Sequence, residues 1–422
     1  MTENDIFKQY KKSIQSVEHT IDFIRDPEKD FTRNRILTLE HVLNSTLRMS
    51  NKSFVCETTN YCLAEKIYAT PSAFREASSK VKPEAFEHIF HVFTDSVYTE
   101  KKMFGLNLFA VDGSSTRFKT NSELTDTYHD KVNQHDDAHY NDYHLNAMYS
   151  ITTGLITDAV IQPGAKYNER EALSTMIHRL PEGNNLVIVD RGYEAYWVID
   201  EFIKTNTYFM IRGSYDSIGG KDTDETDKIH KVHLYRSQTQ KAKSDPLYKF
   251  LPSCVNFDSG TTEKDGYYEM EFRIVRFKLS NGNIETILTN LPSDKYPSHI
   301  IKTLYNLRWN IETGFRRLKH TVGMLHFHSG KEQFILQEIW VSLIVFNLAS
   351  AMADISTINN TAYAVNFSVA VTSVRSLINR IARPPDVILA IKRTKTHMYY
   401  HSTTNKSRKS TIQYIPFSYR CA

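Results

Sequence analysis

Two short runs, Leu108–Asp112 (LFAVD) and Leu186–Asp190 (LVIVD), decide the expected fold, because each is apolar and ends on an aspartate. Continuous apolar runs of this length are typical of strands buried on both faces of a sheet. Between them lie two strand-like runs, Tyr143–Thr152 and Leu155–Gln162, joined by a Thr-Gly turn signal. The sequence therefore predicts an α/β protein with a mixed sheet whose central strands are parallel and covered by helices.

The elements on either side extend this pattern. After the hairpin the periodicity predicts a helix, an apolar strand, a second helix and a further strand, at Asn168–Leu180, Leu186–Asp190, Glu194–Lys204 and Tyr208–Arg212. Residues 214–292 then alternate strand-like runs with polar turns, which is typical of a β-rich insertion; the runs are Lys231–Tyr235, Tyr267–Leu279 and Ile284–Leu288. Long helices follow at Ser298–His320 and Glu332–Ala351.

The first 95 residues have a helical pattern. Thr70-Pro71 is an N-cap followed by proline at the first helical position, and Pro83 begins another amphipathic helix. Short helices with basic residues, among them Arg75 and Lys80, favour a helix-turn-helix-like DNA-binding module. A small helical bundle with solvated lysines is the alternative.

The predicted organisation has four parts. They are a helical DNA-binding domain at 1–95, a catalytic core at 96–213 and 293–350, a β-rich insertion at 214–292, and a helical, basic C-terminal region at 351–422.

Composition limits the class of protein. The net charge of +4 is compatible with nucleic acid without requiring it, and the residues after Asp386 carry no acid, so that tail either is solvated or contacts a polyanion. The four cysteines have no zinc-site spacing, which predicts free thiols. The longest apolar stretch, near Ile339–Ala351, is too short to span a bilayer, and the N-terminus is polar, so we expect a cytoplasmic protein without a membrane partner.

The segment Tyr305–Lys319 (YNLRWNIETGFRRLK) carries the strongest chemical signal. On a continuous helix, Tyr305, Arg308, Glu312 and Lys319 share a stripe roughly 60° wide, beside an apolar stripe that docks the helix. A surface Arg308–Glu312 ion pair is the alternative, worth a few tenths of a kcal/mol, but such a pair needs neither the tyrosine nor the second cation.

Asp112 and Asp190 at neighbouring strand ends, with Glu312 from a packed helix, are a suitable set of oxygen ligands for two Mg²⁺ ions, with Mn²⁺ expected to substitute. We expect Asp112 to bridge both ions, and Asp190 and Glu312 each to complete one. Two such ions activate an attacking hydroxyl and relieve charge on the leaving oxygen of a phosphodiester.

Five further residues are candidate DNA contacts. Arg308 and Lys319 would bind phosphates, Tyr305 would donate to a phosphate, Trp309 would stack on an unpaired base, and Arg191 would reach phosphate from beside Asp190.

The spacing Y-x2-R-x3-E-x6-K resembles the signature of the DDE transposases of bacterial insertion sequences, specifically the insertion-sequence-four family. The segments FAVDGS, VIVDRGY and LTNLP are similar to its two aspartate motifs and to its strand leading back into the core, so the resemblance covers about residues 40–350. It implies a ribonuclease-H-like core with a β-rich insertion before the glutamate helix. It makes Asp112, Asp190 and Glu312 the catalytic triad, and Tyr305, Arg308 and Lys319 the end-DNA contacts.

The resemblance also implies the reaction and the partners. These are cleavage of double-stranded DNA at the ends of the element, attack of the 3′-hydroxyl on target DNA, and a homodimer in a synaptic complex. A metal-dependent nuclease of the same fold and a catalytically inactive, transposase-derived DNA-binding protein remain the alternatives.

Two features depart from the pattern or compete with it. Some relatives hold a flipped base with a tryptophan in the insertion; here that region has none, so Tyr267, Tyr268 or Trp309 takes this role, or the hairpin intermediate is handled differently. A His/Asp cluster within 135–144 is either a transition-metal site or a polar loop entering a strand, and we favour the loop.

Overall fold

The computed structural model describes residues 1–18, 20–33, 35–130, 139–213, 218, 225–251, 266–279, 282–356, 363–394 and 396–397. Its helices are α1 Glu3–Glu18, α2 Leu39–Arg48, α3 Phe54–Glu65, α4 Pro71–Ser78, α5 Glu84–Val97, α6 Glu169–Ile177, α7 Tyr196–Lys204, α8 Gln240–Lys243, α9 Ser298–Asn306, α10 Trp309–Arg316, α11 Glu332–Ile355, α12 Phe367–Ile378 and α13 Pro384–Arg393. Its strands are β1 Asn107–Phe118, β2 Tyr128–His129, β3 Tyr140–Ser150, β4 Ile156–Pro163, β5 Asn185–Val189, β6 Tyr208–Arg212, β7 Thr226–Tyr235, β8 Tyr248–Phe250, β9 Tyr267–Lys278, β10 Ile284–Thr289, β11 Tyr363–Ala364 and β12 Thr396–His397.

One mixed sheet of ten strands organises the described part of the chain. Its order is β2-β3-β1-β5-β6-β10-β9-β7-β8, with β4 paired to β3. The strands β1, β5 and β6 are parallel neighbours, whereas β3 runs antiparallel to β1. The prediction of a mixed sheet with the two aspartate-ending runs as central parallel strands is therefore confirmed.

The strands of residues 226–289 continue this sheet. β10 pairs antiparallel with β6, and β9 and β7 follow beyond it. The region predicted as a β-rich insertion is rich in strands where it is described. Those strands belong to the same hydrogen-bonded sheet as the core strands.

Helices cover both faces of the sheet. Along β1 the side chains alternate: Val111 packs in the cluster that includes residues of α6 and α7, whereas Ala110 packs in the cluster that includes residues of α10 and α11. Asp112 follows Ala110 by two residues and therefore lies on the α10 side, and Gly113 lies on the α6 side.

The prediction of one continuous helix over Ser298–His320 is wrong. The chain tightens between α9 and α10, where the backbone N–H groups of residues 307, 308, 310 and 311 each bond to the carbonyl three residues earlier. After α10 the segment Arg317–Val322 widens into a π-helix. Because a 100° rotation per residue does not hold across these changes, the single polar stripe expected from the helical wheel is not preserved.

The N-terminal helices share a hydrophobic core with the C-terminal half. Residues of α1, α2 and α5 pack in the same cluster as residues of α11, α12 and α13 and one face of the sheet. The Thr70 cap bonds to the backbone N–H of Ala73 as predicted. Among the described residues, α11 is long and apolar enough to cross a membrane, but 83% of its apolar window is buried inside the protein, as in a core helix.

Candidate active site

Asp112 and Asp190 lie at the carboxyl ends of adjacent parallel strands. Ala110 of β1 is paired in register with Ile188 of β5, and each aspartate is two residues further along. Neighbouring strands lie about 4.8 Å apart, so the two acids meet at one edge of the sheet. Asp112 Oδ1 accepts a hydrogen bond from the Gly113 N–H, and Asp190 Oδ1 accepts one from the Gly192 N–H.

Glu312 reaches the same edge from α10. Arg308 Nη2 donates to Glu312 Oε1 at 2.7 Å, and Arg308 Nη1 contacts Asp112 Oδ2 at 3.4 Å. The guanidinium therefore bridges two acids that are 200 residues apart in sequence. Because its side chain is only 14% exposed, this is a half-buried network and not the surface ion pair considered as an alternative.

The electrostatics of the site centre on Asp112. Burial raises the pKa of this carboxyl to about 6, the Gly113 N–H and Arg308 oppose the rise, and the charges of Asp190 and Glu169 add to it. No group of three or more His, Cys, Asp or Glu side chains in the described part of the chain is arranged to hold a metal ion as it stands.

The other predicted contacts fall into two groups. Trp309 is 64% exposed and Arg191 is exposed, so both side chains are accessible. Lys319 Nζ instead donates to the Ser115 carbonyl oxygen at 2.7 Å, and Tyr305 is buried with its hydroxyl unpaired among the described residues. Burial raises the pKa of Tyr305 to about 12, so it is a neutral phenol.

The aromatic residues proposed to replace an insertion tryptophan differ in their exposure to solvent. Tyr267 is 41% exposed and stacks on His233 with ring centroids 4.0 Å apart. The Tyr268 hydroxyl donates to Asp200 Oδ1 at 2.7 Å, beneath α7. Tyr267 and Trp309 are therefore the accessible candidates.

The His/Asp cluster is only partly described. His135, Asp136 and Asp137 lie outside the described residues. The loop interpretation is wrong for Asp142, which is buried within β3, because that strand begins earlier than predicted; its carboxylate contacts His129 Nε2 at 2.7 Å. His144 lies on the same strand and contacts Glu169 Oε1 at 2.8 Å.

Sequence reasoning missed Glu169, His144 and Tyr193 as neighbours of the two aspartates. The available signal was weak: Glu169 is an acid at the first position of a helix that follows the antiparallel strands, and Tyr193 belongs to the VIVDRGY segment. Their proximity to the two aspartates depends on how α6 packs across the sheet, which no local sequence pattern predicts.

The family of this chain follows from comparison with known proteins. A family model described as "Transposase DDE domain" matches residues 104–348. "Transposase InsG for insertion sequence element IS4" of Escherichia coli (strain K12) is 22% identical over 288 residues, which are 67% of this chain and 60% of that protein. This chain thus spans about 60% of the relative's length.

A solved structure is also similar: "Cryo-EM structure of piggyBac transposase synaptic complex with hairpin DNA". It aligns with a TM-score of 0.46 and 7% sequence identity over 91% of this chain and 82% of that one. The resemblance inferred from the Y-x2-R-x3-E-x6-K spacing is confirmed by the family match and by the relative of the IS4 element. Because the family model spans more than half of the 422 residues and includes both aspartate strands and the glutamate helix, this chain belongs to the transposase DDE domain family.

Proposed function

We propose that this protein is a transposase that cleaves double-stranded DNA at the ends of an insertion sequence and joins the freed 3′-hydroxyl to target DNA. The observation that carries the proposal is the placement of Asp112 and Asp190 at adjacent strand ends of one sheet edge, with Glu312 linked to Asp112 through Arg308. Acids from two adjacent strand ends and a docked helix are the oxygen donors that phosphodiester chemistry requires.

The fold supports a ribonuclease-H-like core. An antiparallel β4-β3-β1 unit lies next to the parallel strands β5 and β6, and the acids lie where β1 and β5 end. Around this core we propose the predicted organisation: a DNA-binding helical region at 1–95, a strand-rich insertion at 214–292 and a basic C-terminal region at 351–422.

The carboxylates at the sheet edge are of the chemical type that binds divalent ions, although in the described residues they are not arranged around one as they stand. Asp112, Asp190 and Glu312 would hold Mg²⁺ or Mn²⁺, which supplies charge relief to the attacking and leaving oxygens. Burial raises the pKa of Asp112, and the charges of Asp190 and Glu169 add to the rise; a hard cation would compensate a carboxylate ionised in such a place. Arg308 is the present countercharge of Asp112 and Glu312, and we propose that it turns to a DNA phosphate when metal is bound.

Accessible residues beside the acids support a DNA-binding role for this edge. Arg191 would contact phosphate, Trp309 would stack on an unpaired base, and Lys319 would add a positive charge at the rim of the site. Tyr305, being buried and neutral, would donate a hydrogen bond and hold α9 against the sheet. We further propose that the protein acts in the cytoplasm, where its DNA is found, as a homodimer that bridges two element ends.

The test separates metal-dependent chemistry from docking. Glu312→Gln should lower cleavage and strand transfer by about 100-fold or more, because a metal ligand stabilises several kcal/mol of transition-state charge. Binding to element-end DNA should change little. The measurement uses end-containing duplexes, a supercoiled target and Mg²⁺ or Mn²⁺, with the exposed acid Asp294→Asn as the matched control.

Three outcomes would contradict the proposal. Equal loss of end binding and cleavage would mean that Glu312 does not act as a metal ligand. Cleavage without joined products from pre-cut ends would indicate a nuclease. Binding with no cleavage under any divalent ion would indicate an inactive DNA-binding protein.

A further inference from the structure

Glu169 brings a fourth carboxylate to the edge of the sheet where Asp112 and Asp190 lie. It is the first residue of α6, and Asn168 caps that helix through the N–H groups of Arg170 and Glu171. Arg170 Nε also donates to the Gly192 carbonyl oxygen at 2.8 Å, which fixes the helix beside the Asp190 turn. Glu169 thus approaches from the α6 layer, whereas Glu312 approaches from the α10 layer.

A buried histidine fixes the orientation of this carboxylate. His144 is only 5% exposed, and its Nε2 lies 2.8 Å from Glu169 Oε1. An ionised Glu169 can only accept, so Nε2 would donate to it, and the Ser115 hydroxyl lies 3.2 Å from Nδ1 on the other side of the ring. The imidazole also stacks on Tyr167, with ring centroids 3.9 Å apart. These contacts hold one oxygen of Glu169, while the side chain remains 30% exposed.

Two glycines leave room for the carboxylate. A Cβ atom at Gly113 would collide with Glu169 Oε1 and His144 Nε2. A Cβ atom at Gly192 would lie 3.8 Å from Glu169 Oε2 and 3.1 Å from Asp190 Oδ1. Each glycine lies within two residues of a site aspartate, so Glu169 packs directly over the backbone that presents Asp112 and Asp190.

A second observation points to a ligand at the same place. Tyr193 is fully buried, and its hydroxyl has no hydrogen-bond partner among the described residues. Burial raises the pKa of this phenol well above its ordinary value, and the charges of Glu169, Asp112 and Asp190 raise it further. A buried, neutral hydroxyl near three carboxylates is an unpaired polar group of the kind that ligands and ordered water satisfy.

We propose that Glu169, held in place by His144, is a fourth metal-binding carboxylate of the site. It supplies an oxygen from the α6 layer, opposite Glu312, so that acids from both layers face a cation at the strand ends. The proposal rests on the proposed function, because it assigns a residue to the same divalent ions. His144 is a positioning residue, since it acts on the metal through Glu169.

Metal binding without DNA tests this assignment. Calorimetric titration of the full chain with Mn²⁺ should give an affinity at least about tenfold weaker for Glu169→Gln than for wild type. Glu171→Gln, an exposed acid on the same helix, should stay within about twofold of wild type. Circular dichroism and thermal unfolding establish that each variant is folded.

The failures of the two proposals can be told apart. Wild-type Mn²⁺ affinity in Glu169→Gln, alongside weakened binding in Asp112→Asn and Asp190→Asn, would overturn the role of Glu169 alone. Unchanged affinity in both aspartate variants would overturn the metal site of the proposed function. If Glu169→Gln does not fold, Glu169→Asp replaces it: an affinity about threefold weaker or more supports the role, and an unchanged affinity overturns it.

A double-mutant cycle isolates the role of His144. His144→Asn should weaken Mn²⁺ binding, and the double variant with Glu169→Gln should bind no more weakly than Glu169→Gln alone, because both act through one carboxylate. Additive losses would overturn the positioning role, since they would mean that His144 affects the metal by another route.

Discussion

The place of Asp112 at the candidate active site has an energetic cost. Its carboxyl is largely buried, and Arg308 and the Gly113 N–H offset only part of the penalty for ionising it there. Groups arranged for chemistry are often unfavourable for folding, because the fold holds them in surroundings that suit a bound ligand.

This cost can be measured in the metal-free protein. The pKa of Asp112 is raised from 3.8 to about 6, so the folded chain holds the proton to a higher pH than the unfolded chain. The free energy of unfolding therefore falls as the pH rises from about 4 to 6 and stays lower above it. At pH 7.5, Asp112→Asn should raise the free energy of unfolding by about 1–3 kcal/mol, because each unit of the pKa shift corresponds to roughly 1.4 kcal/mol.

The measurement is denaturant unfolding with a chelator at pH 7.5 and pH 4.5. The gain should fall to roughly a third at the lower pH, where the carboxyl is protonated in the folded chain but still mostly ionised in the unfolded chain. A gain of the same size at both pH values, or a loss of stability at pH 7.5, would contradict the assignment, and Asp294→Asn serves as the exposed control.

At the scale of elements, the helix that carries Glu312 owes its geometry to the irregular segments at its two ends. The tight turn before α10 directs the Arg308 guanidinium to Asp112, and the π-helix after it ends at Gly323, whose φ is +101°. A side chain at that position is both strained and sterically blocked, because a Cβ atom would collide with the Asn51 side chain.

Gly323→Ala should lower the free energy of unfolding by about 1–3 kcal/mol, since backbone strain and the collision with Asn51 add. Gly105→Ala is the matched control: its φ is also positive, at +78°, but nothing lies within 4 Å of a Cβ atom there. Chemical unfolding of both variants measures the difference. Equal losses would mean that the contact with Asn51 plays no part.

At the scale of the whole molecule, a buried amide joins three parts of the chain. Asn347 of α11 donates to the Thr94 hydroxyl of α5 at 2.8 Å and to the Ile156 carbonyl oxygen of β4 at 2.7 Å, and its Oδ1 accepts from the Ile156 N–H. The N-terminal helices, the sheet and the C-terminal helices therefore meet at one polar group inside a shared core.

Asn347→Ala should lower the free energy of unfolding by about 2–4 kcal/mol, because it leaves the Ile156 backbone groups and the Thr94 hydroxyl without this partner. Asn44→Ala is the control: this residue is partly exposed on α2, its amide donates only within its own helix to the Glu40 carbonyl oxygen, and the free energy of unfolding should change by less than about 1 kcal/mol. Calorimetry should also give one cooperative transition for wild type. A separate transition for the N-terminal helices would contradict the shared core.

The sequence alone determined the central strands and the family, but not the breaks in the helix predicted at Ser298–His320. Alternation and apolar runs located β1, β3, β4, β5 and β6, and the spacing in Tyr305–Lys319 indicated the transposase DDE domain family, because these signals lie within windows of 5 to 15 residues. Only the tertiary structure decided which distant groups meet: the Arg308 bridge to Asp112, the Lys319 bond to the Ser115 carbonyl, the approach of Glu169 and the shared core. Strand order and helix packing determine those contacts, and neither can be predicted from hydrophobic periodicity, which depends only on residues close in sequence.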